Sequence, residues 1–203
     1  MRFRTHSHQF AEEVLNTPSR RPGIEDIYEV IASITDDDLR SHYIAVQRMS
    51  LSDAINRLMK KGLTERGWQA EARIFQDPEY ARGRWRLDFA KSAISVEVAF
   101  NHGEAIAWNL IKPVLASQLN HVKKDITTEV GVIICATDAL KEAGLFDSAV
   151  GTFEKFKTYL RPMQSILPTP ILLIGLEPPG SFVVRGARMG NRTVGTIVDN
   201  ENG

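Results

Sequence analysis

The chain has 203 residues, 43% of them hydrophobic and 25% charged, with 25 basic and 25 acidic side chains and one cysteine. That length supports one substantial core in a single domain, and no apolar run reaches the roughly 20 residues needed to span a membrane. The zero formal net charge argues against a nonspecific nucleic-acid binder, which carries a large basic excess.

The first residues, Met1-Arg2-Phe3-Arg4-Thr5-His6, lack the apolar stretch of a signal peptide, so a cytoplasmic protein is expected. His6 and His8 have metal-ligand spacing but no further ligands nearby. The first fifty residues read mainly as helix. Apolar residues recur at Ile27, Val30, Ile31 and Ile34, and a second helix spans 39–46 after Asp36-Asp37-Asp38, acids that suit a helix start better than a metal. Residues 51–66 are the clearest helix, striped by Leu51, Ala54, Ile55, Leu58, Met59 and Leu63 and ended by Gly67. Ser50 would cap it and Asp53 close the capping box; Asp53 is also kept as a weak candidate site residue.

Residues 68–75 read as a strand, 76–83 as a loop carrying Asp77-Pro78, and 85–100 as strand, turn and strand. Asn101-His102-Gly103 breaks that pattern, and 104–122 reads as a long helix interrupted by Pro113. Residues 130–136 and 171–176 are almost wholly apolar, as in strands covered on both faces, with a helix around 151–160 between them. Cys135 lies in the first of these runs and reads as a packing thiol. After Pro178-Pro179-Gly180, residues 178–203 read as an irregular tail with one edge strand at 182–185. The order of elements predicts an α/β sandwich with a central mixed sheet flanked by helices.

The chemistry concentrates in 85–100. With Lys91-Ser92 as the turn, alternation puts Trp85, Leu87, Phe89, Ile94, Val96, Val98 and Phe100 on one face, and Arg86, Asp88, Ser95, Glu97 and Ala99 on the other. Asp88 then faces Ser95, with Glu97 one diagonal step away. Two carboxylates about 4 Å apart repel by roughly 4 kcal/mol at an effective dielectric near 20. A hard cation removes that penalty, and Mg2+ takes one or two protein carboxylates while keeping positions for water and phosphate. The competing reading is an ordinary amphipathic hairpin with a solvated outer face, and spacing alone favours it. Between positions 57 and 91, nine basic residues stand against five acidic ones. That surplus suits either phosphate binding or a soluble charged face.

The run Asp88-Phe89-Ala90-Lys91-Ser92-Ala93-Ile94-Ser95-Val96-Glu97-Val98-Ala99-Phe100 resembles the catalytic hairpin of the BglII/BstYI-type restriction endonucleases, a branch of the PD-(D/E)XK nucleases. The helix 51–63 leading to Gly67-Trp68, the long helix after Phe100, the strand 130–135 and Pro170-Ile171-Leu172-Leu173-Ile174-Gly175 occur in the same order, so the resemblance covers 1 to about 177. It implies the restriction-endonuclease-like sandwich and a homodimer, in a bacterial cytoplasm, that cleaves a palindromic double-stranded DNA site with Mg2+, or with Mn2+ in its place. In it Asp88 and Glu97 are the metal-binding carboxylates, and Arg86, on the same face, neutralises phosphate charge or is merely solvated. Asn101 and His102, and the loop holding Asp147 and Ser148, match positions that face bases. Turn chemistry at 101–103 and helix capping at Asp147 or Ser148 are the plainer readings of the same residues. Close relatives recognise GATC-centred sites.

One position departs from the family pattern. Two residues after Glu97 the superfamily carries Lys, and the nearest relatives Gln, to position the attacking water; here it is Ala99. A methyl group can neither accept a proton nor hold a water. Either metal and phosphate suffice, or a neighbour such as His102 or Ser95 substitutes, or the chain is an inactive or weakened nuclease-fold DNA-binding protein.

Overall fold

The computed structural model describes residues 1–46, 49–80, 83, 85–118, 122–189 and 192–200. Its centre is a six-stranded sheet formed by β1 (Phe3–His8), β2 (Gln69–Arg73), β3 (Arg86–Lys91), β4 (Ile94–Val98), β5 (Val130–Ala136) and β6 (Ile171–Leu176) in the spatial order β1-β6-β5-β4-β3-β2. Strands β4, β5 and β6 are parallel and the outer pairings antiparallel. The mixed sheet expected from the sequence is present.

Both faces are covered, which is why β5 and β6 read as continuous apolar runs. Val132, Ile134, Leu172 and Ile174 face a large core with Ile27, Ile31, Ile55, Met59 and Leu63. These come from α2 (Arg21–Ser33) and α4 (Ser52–Glu65), which pack together beside α1 (Ala11–Leu15) and α3 (Asp36–Val46). Ile133, Cys135, Ile171 and Leu173 face Ile106, Leu110, Phe153, Phe156 and Leu160. Those belong to α5 (Ile106–Gln118) and α7 (Phe153–Leu160), with the short α6 (Asp138–Ala143) between β5 and α7.

Several local expectations need correction. Residues 3–8 are not helical: β1 pairs antiparallel with β6 from Phe3 opposite Leu176 to His8 opposite Ile171. Helix α3 is capped as its acids suggested, with Asp38 accepting from the Thr35 backbone N–H at 3.0 Å and Asp38 N–H donating to Thr35 Oγ1 at 3.1 Å. Helix α4 is not: Leu51 is its N-cap without a side-chain hydrogen bond, and Ser50 bonds Ser52 instead. Helix α5 runs through Pro113 unbroken to Gln118; 119–121 lie outside the described residues. The expected irregular tail instead forms a hairpin of β7 (Phe182–Met189) and β8 (Arg192–Asp199). It docks on the large core through Phe182 and Val184, and Arg40 stacks over the Phe182 ring.

The hairpin turn lies one residue later than expected. Phe89 pairs with Val96 and Lys91 with Ile94, leaving Ser92-Ala93 as the two-residue turn. Both turn residues have positive φ, 48° and 66°, the conformation of a type I′ turn that glycine and asparagine favour. Replacing Ala93 with Gly removes a left-handed penalty of about 1 kcal/mol. Ala93→Gly is expected to raise the melting temperature by about 2–4 °C, measured by calorimetry; an unchanged or lower value contradicts the strain. A second close fit sets the depth of α5: a Cβ on Gly131 of β5 would lie 2.7 Å from Pro113 Cβ and Cγ. Gly131→Ala is therefore expected to cost about 1–3 kcal/mol by lifting α5 off the sheet, read from denaturant unfolding; a neutral result would show slack in this contact.

Candidate active site

The turn position decides what faces Asp88. Continuing the observed register one step beyond Phe89 and Val96 sets Asp88 directly opposite Glu97, not opposite Ser95. This is a non-hydrogen-bonded pair, the kind with the shorter Cα separation and the closer side chains. Beyond it the ladder stops: Val98 N–H donates to Asp88 Oδ2 at 2.7 Å, taking a donor that would otherwise extend the β3–β4 pairing. The expected diagonal approach of the two acids is thus a head-on one. The apolar face is also divided. Phe89, Ile94 and Val96 join the large core, while Leu87, with Trp85 against it, belongs to a small cluster with Ala72, Ile74 and Phe75.

The acidic face is not solvated. Ser95, Glu97 and Ala99 are 0, 1 and 2% exposed, because α5 lies over them. Burying a carboxylate disfavours its charged form. Burial first, and the neighbouring Asp88 second, push the Glu97 carboxyl up to about 8, against the pull of Lys112. Burial likewise raises the Asp88 carboxyl, opposed by the Val98 N–H and by Lys112.

Lys112 is the residue that sequence reasoning missed. Its ammonium, 8% exposed as a residue, forms a close ion pair with Glu97 Oε2 and donates to the Arg86 carbonyl at 3.3 Å. A signal existed: Lys112 is the sole charged residue in 105–116, so a helix packed along that run either buries a cation or lets it snorkel to solvent. Glu71 was also missed. It stands across from Asp88 in the β2–β3 register with a left-handed φ of 53°, and its charge acts on Asp88.

Asp88 opens onto two adjoining clefts, whereas Glu97 lines neither and stays buried. One is lined by Asn56, Lys60, Glu71, Asp88, Val98 and Asn101, the other by Glu71, Arg86, Asp88, His102, Trp108, Asn109 and Lys112 among others. Asp53 is absent from both linings; α4 contributes Asn56 and Lys60 instead. Ala99 lines neither cleft and is packed with Ile106, Leu110 and Ile133. Ser95 is no substitute for it, since its hydroxyl donates to the Val130 carbonyl at 3.3 Å.

The two segments expected to face bases are tied to each other. His102 pairs with Val150 in an isolated bridge, Gly103 N–H donates to the Ala149 carbonyl at 2.6 Å, and Gly151 N–H to the Asn101 carbonyl at 3.0 Å. Exposed Asp147 and Ser148 thus stand in the loop joined to exposed Asn101 and His102. Asp147 makes a local turn, accepting from Ala149 N–H at 2.7 Å, and Thr152 rather than Asp147 or Ser148 is the N-cap of α7. The basic surplus is less available than its count suggested. Lys91 and Arg66 pair with Asp26, and Arg66 also with Glu29, while Arg82 and Arg84 lie outside the described residues.

A divalent cation fits this donor set. Both acids present only oxygen, the ligand of hard cations, and Glu97 Oε1 is buried without a hydrogen-bond partner among the described residues. Among those residues no group of three or more His, Cys, Asp or Glu forms a metal cage, so a bound cation would take most of its ligands from water and substrate.

A family model described as restriction endonuclease BglII/BglIII matches residues 3–176. Two solved structures are similar at 16% identity, with 98% of this chain and 100% of theirs covered: restriction endonuclease BglII complexed with a DNA 16-mer, at a TM-score of 0.67, and free BglII, at 0.57. No curated protein sequence matches the chain.

The raised carboxyl of Glu97 has a defined consequence for stability. Between its ordinary 4.5 and about 8 the unfolded chain gives up this proton and the folded protein keeps it, so stability falls as pH rises through that window. Glu97→Gln retains the shape without the ionisable group. In chelator it is expected to match the parent protein near pH 4 and to exceed it by on the order of 3 kcal/mol at pH 9. Denaturant melts across pH test this; parallel profiles would contradict the buried, proton-holding Glu97.

Proposed function

We propose, because this chain belongs to the BglII/BglIII restriction endonuclease family, that it is a type II site-specific endonuclease hydrolysing phosphodiester bonds of double-stranded DNA with Mg2+ held by Asp88 and Glu97. The observation that carries the proposal is the acid pair at the end of the β3–β4 ladder, with Asp88 on clefts that reach Asn101 and His102, the latter bridged to Val150. Mn2+, with the same preference for oxygen, substitutes.

The residues divide the work. Val98 N–H fixes the Asp88 carboxylate, and the covering helix fixes Glu97, so both acids are oriented before DNA arrives. The chemistry that a divalent cation supplies at such a site is charge neutralisation at the scissile phosphate and acidification of water. Arg86, on the same cleft wall, adds positive charge toward the phosphates. Asn101, His102, Asp147 and Ser148 form one reading surface: Asn pairs with adenine N6 and N7, and Ser and Asp meet donors and acceptors on other base edges. Each chain carries one acid pair, so a homodimer on a palindromic site, GATC-centred as in the family, cuts both strands. A protein that binds DNA without cutting it was suggested by Ala99; that ground weakens once Lys112 stands beside Glu97.

Plasmid and linear DNA incubated with the protein and Mg2+ or Mn2+ are expected to give discrete fragments, whose ends define the site. Asp88→Asn should slow cleavage about a thousandfold while leaving binding to that site. Sequence-specific binding with no cleavage by the unaltered protein would instead favour the binding-only reading.

A further inference from the structure

Position 99 carries no polar atom, yet hydrolysis needs a group that holds water against phosphorus. Ala99 cannot be aided by rearrangement, because it is 2% exposed and packed beneath Ile106 and Leu110 of α5. The same helix supplies what the strand lacks. Six residues beyond Ile106, Lys112 reaches back to β4 and pairs with Glu97, the proposed metal ligand.

Three features mark this lysine as more than a counter-ion. Its ammonium has three donors, and the described residues take two, at Glu97 Oε2 and the Arg86 carbonyl. It lines the open cleft together with Asp88, Arg86, Trp108 and Asn109, so the third donor borders the space a phosphodiester would enter. Other capacity is unmet among the described residues: the buried Nε1–H of Trp108, on the cleft wall, has no acceptor, and Oε1 of the buried Glu97 has no donor. A spare ammonium donor on the cleft wall, carried by a lysine bonded to the Glu97 carboxyl, matches a water lying between a carboxylate and a phosphate.

The geometry points to Lys112 of α5 as the residue that takes over from position 99, donating hydrogen bonds to the attacking water and the scissile phosphate. This rests on the endonuclease reading above. In the step it serves, the water oxygen forms a bond to phosphorus and one ester P–O bond breaks. The water's proton passes to solvent and the departing alkoxide takes a proton from solvent. Lys112 keeps its charge throughout, so its contribution is position and electrostatics.

The test uses the full-length protein on its mapped site, with Lys112→Gln and Lys112→Arg, in two assays. In single-turnover cleavage with Mg2+, Lys112→Gln should be at least 100-fold slower and Lys112→Arg should recover at least tenfold of that loss. In metal-free anisotropy, DNA with a neutral methylphosphonate at the scissile linkage should bind the parent several-fold more weakly than normal DNA, whereas Lys112→Gln should bind both within twofold. A lysine that merely neutralises Glu97 would lower stability but leave the methylphosphonate penalty equal in parent and variant, and that equality would overturn the assignment. Should the glutamine variant fail to fold, Lys112→Arg bears the test: a methylphosphonate penalty as large as the parent's supports the assignment, and loss of that penalty in the folded arginine variant overturns it. A parent protein that neither cuts nor binds DNA would overturn the endonuclease reading and this assignment with it, whereas a parent that cuts alongside an undiminished Lys112→Gln overturns this assignment alone.

Discussion

The Glu97 carboxyl and the Lys112 ammonium share the interior of this protein where the β3–β4 ladder ends, and much of the architecture follows from keeping them there. Burying such groups is costly: desolvation holds a proton on Glu97, and the attraction within a buried pair often only offsets the cost of charging it. The pair is held from both sides. Helix α5 settles onto β5 at Gly131, where nothing larger than hydrogen fits beneath Pro113, and this depth lets Lys112 reach Glu97. On the strand side, the Ser92-Ala93 turn sets the register that brings Asp88 abreast of Glu97. One hairpin carries strain at its turn and desolvation at the acids at its other end, as where chemistry takes precedence over stability.

The second organising feature is the link between the acid pair and the proposed reading surface. The chain leaving β4 passes from Glu97 to Asn101 within four residues, and the 146–150 loop is bonded to that exit. A base contact at Asn101 or His102 and a phosphate at Asp88 and Glu97, as proposed, would thus be held by one continuous piece of backbone. Such rigidity suits an enzyme that must cut at a fixed distance from what it reads. The neutral net charge fits the same picture, since affinity drawn from base contacts depends less on a general attraction to phosphate.

Much of this was legible in the residues and some was not. The acid pair, the stripe of α4 and the doubly covered strands β5 and β6 follow from periodicity, because burial on known faces leaves a pattern of period 3.6, 2 or 1. The register of the hairpin did not. Moving the turn from Lys91-Ser92 to Ser92-Ala93 shifts each partner by two residues, which leaves every side chain on the same face and so leaves no trace in alternation. Strand β1, with Arg4, Thr5, His6 and Ser7 in its middle, is an edge strand whose polar residues carry no apolar rhythm. Of the β7–β8 hairpin only the edge strand at 182–185 was legible; its glycines and arginines hid the rest, since among the described residues Phe182 and Val184 alone are buried and Ile197 packs partly buried against the core. Lys112 was the costliest omission: a charge inside an apolar helical run signals either a snorkelling side chain or a buried ion pair, and only tertiary contact with Glu97 separates them.

Asp88 and Glu97 are proposed to hold one cation together at a scissile phosphate. Anomalous diffraction from crystals of the protein–DNA complex grown with Mn2+ addresses it directly. The account predicts a Mn2+ peak about 2.0–2.3 Å from an oxygen of each carboxylate and beside a backbone phosphate. A peak bound to neither acid, or a complex in which DNA lies away from this cleft, would contradict it.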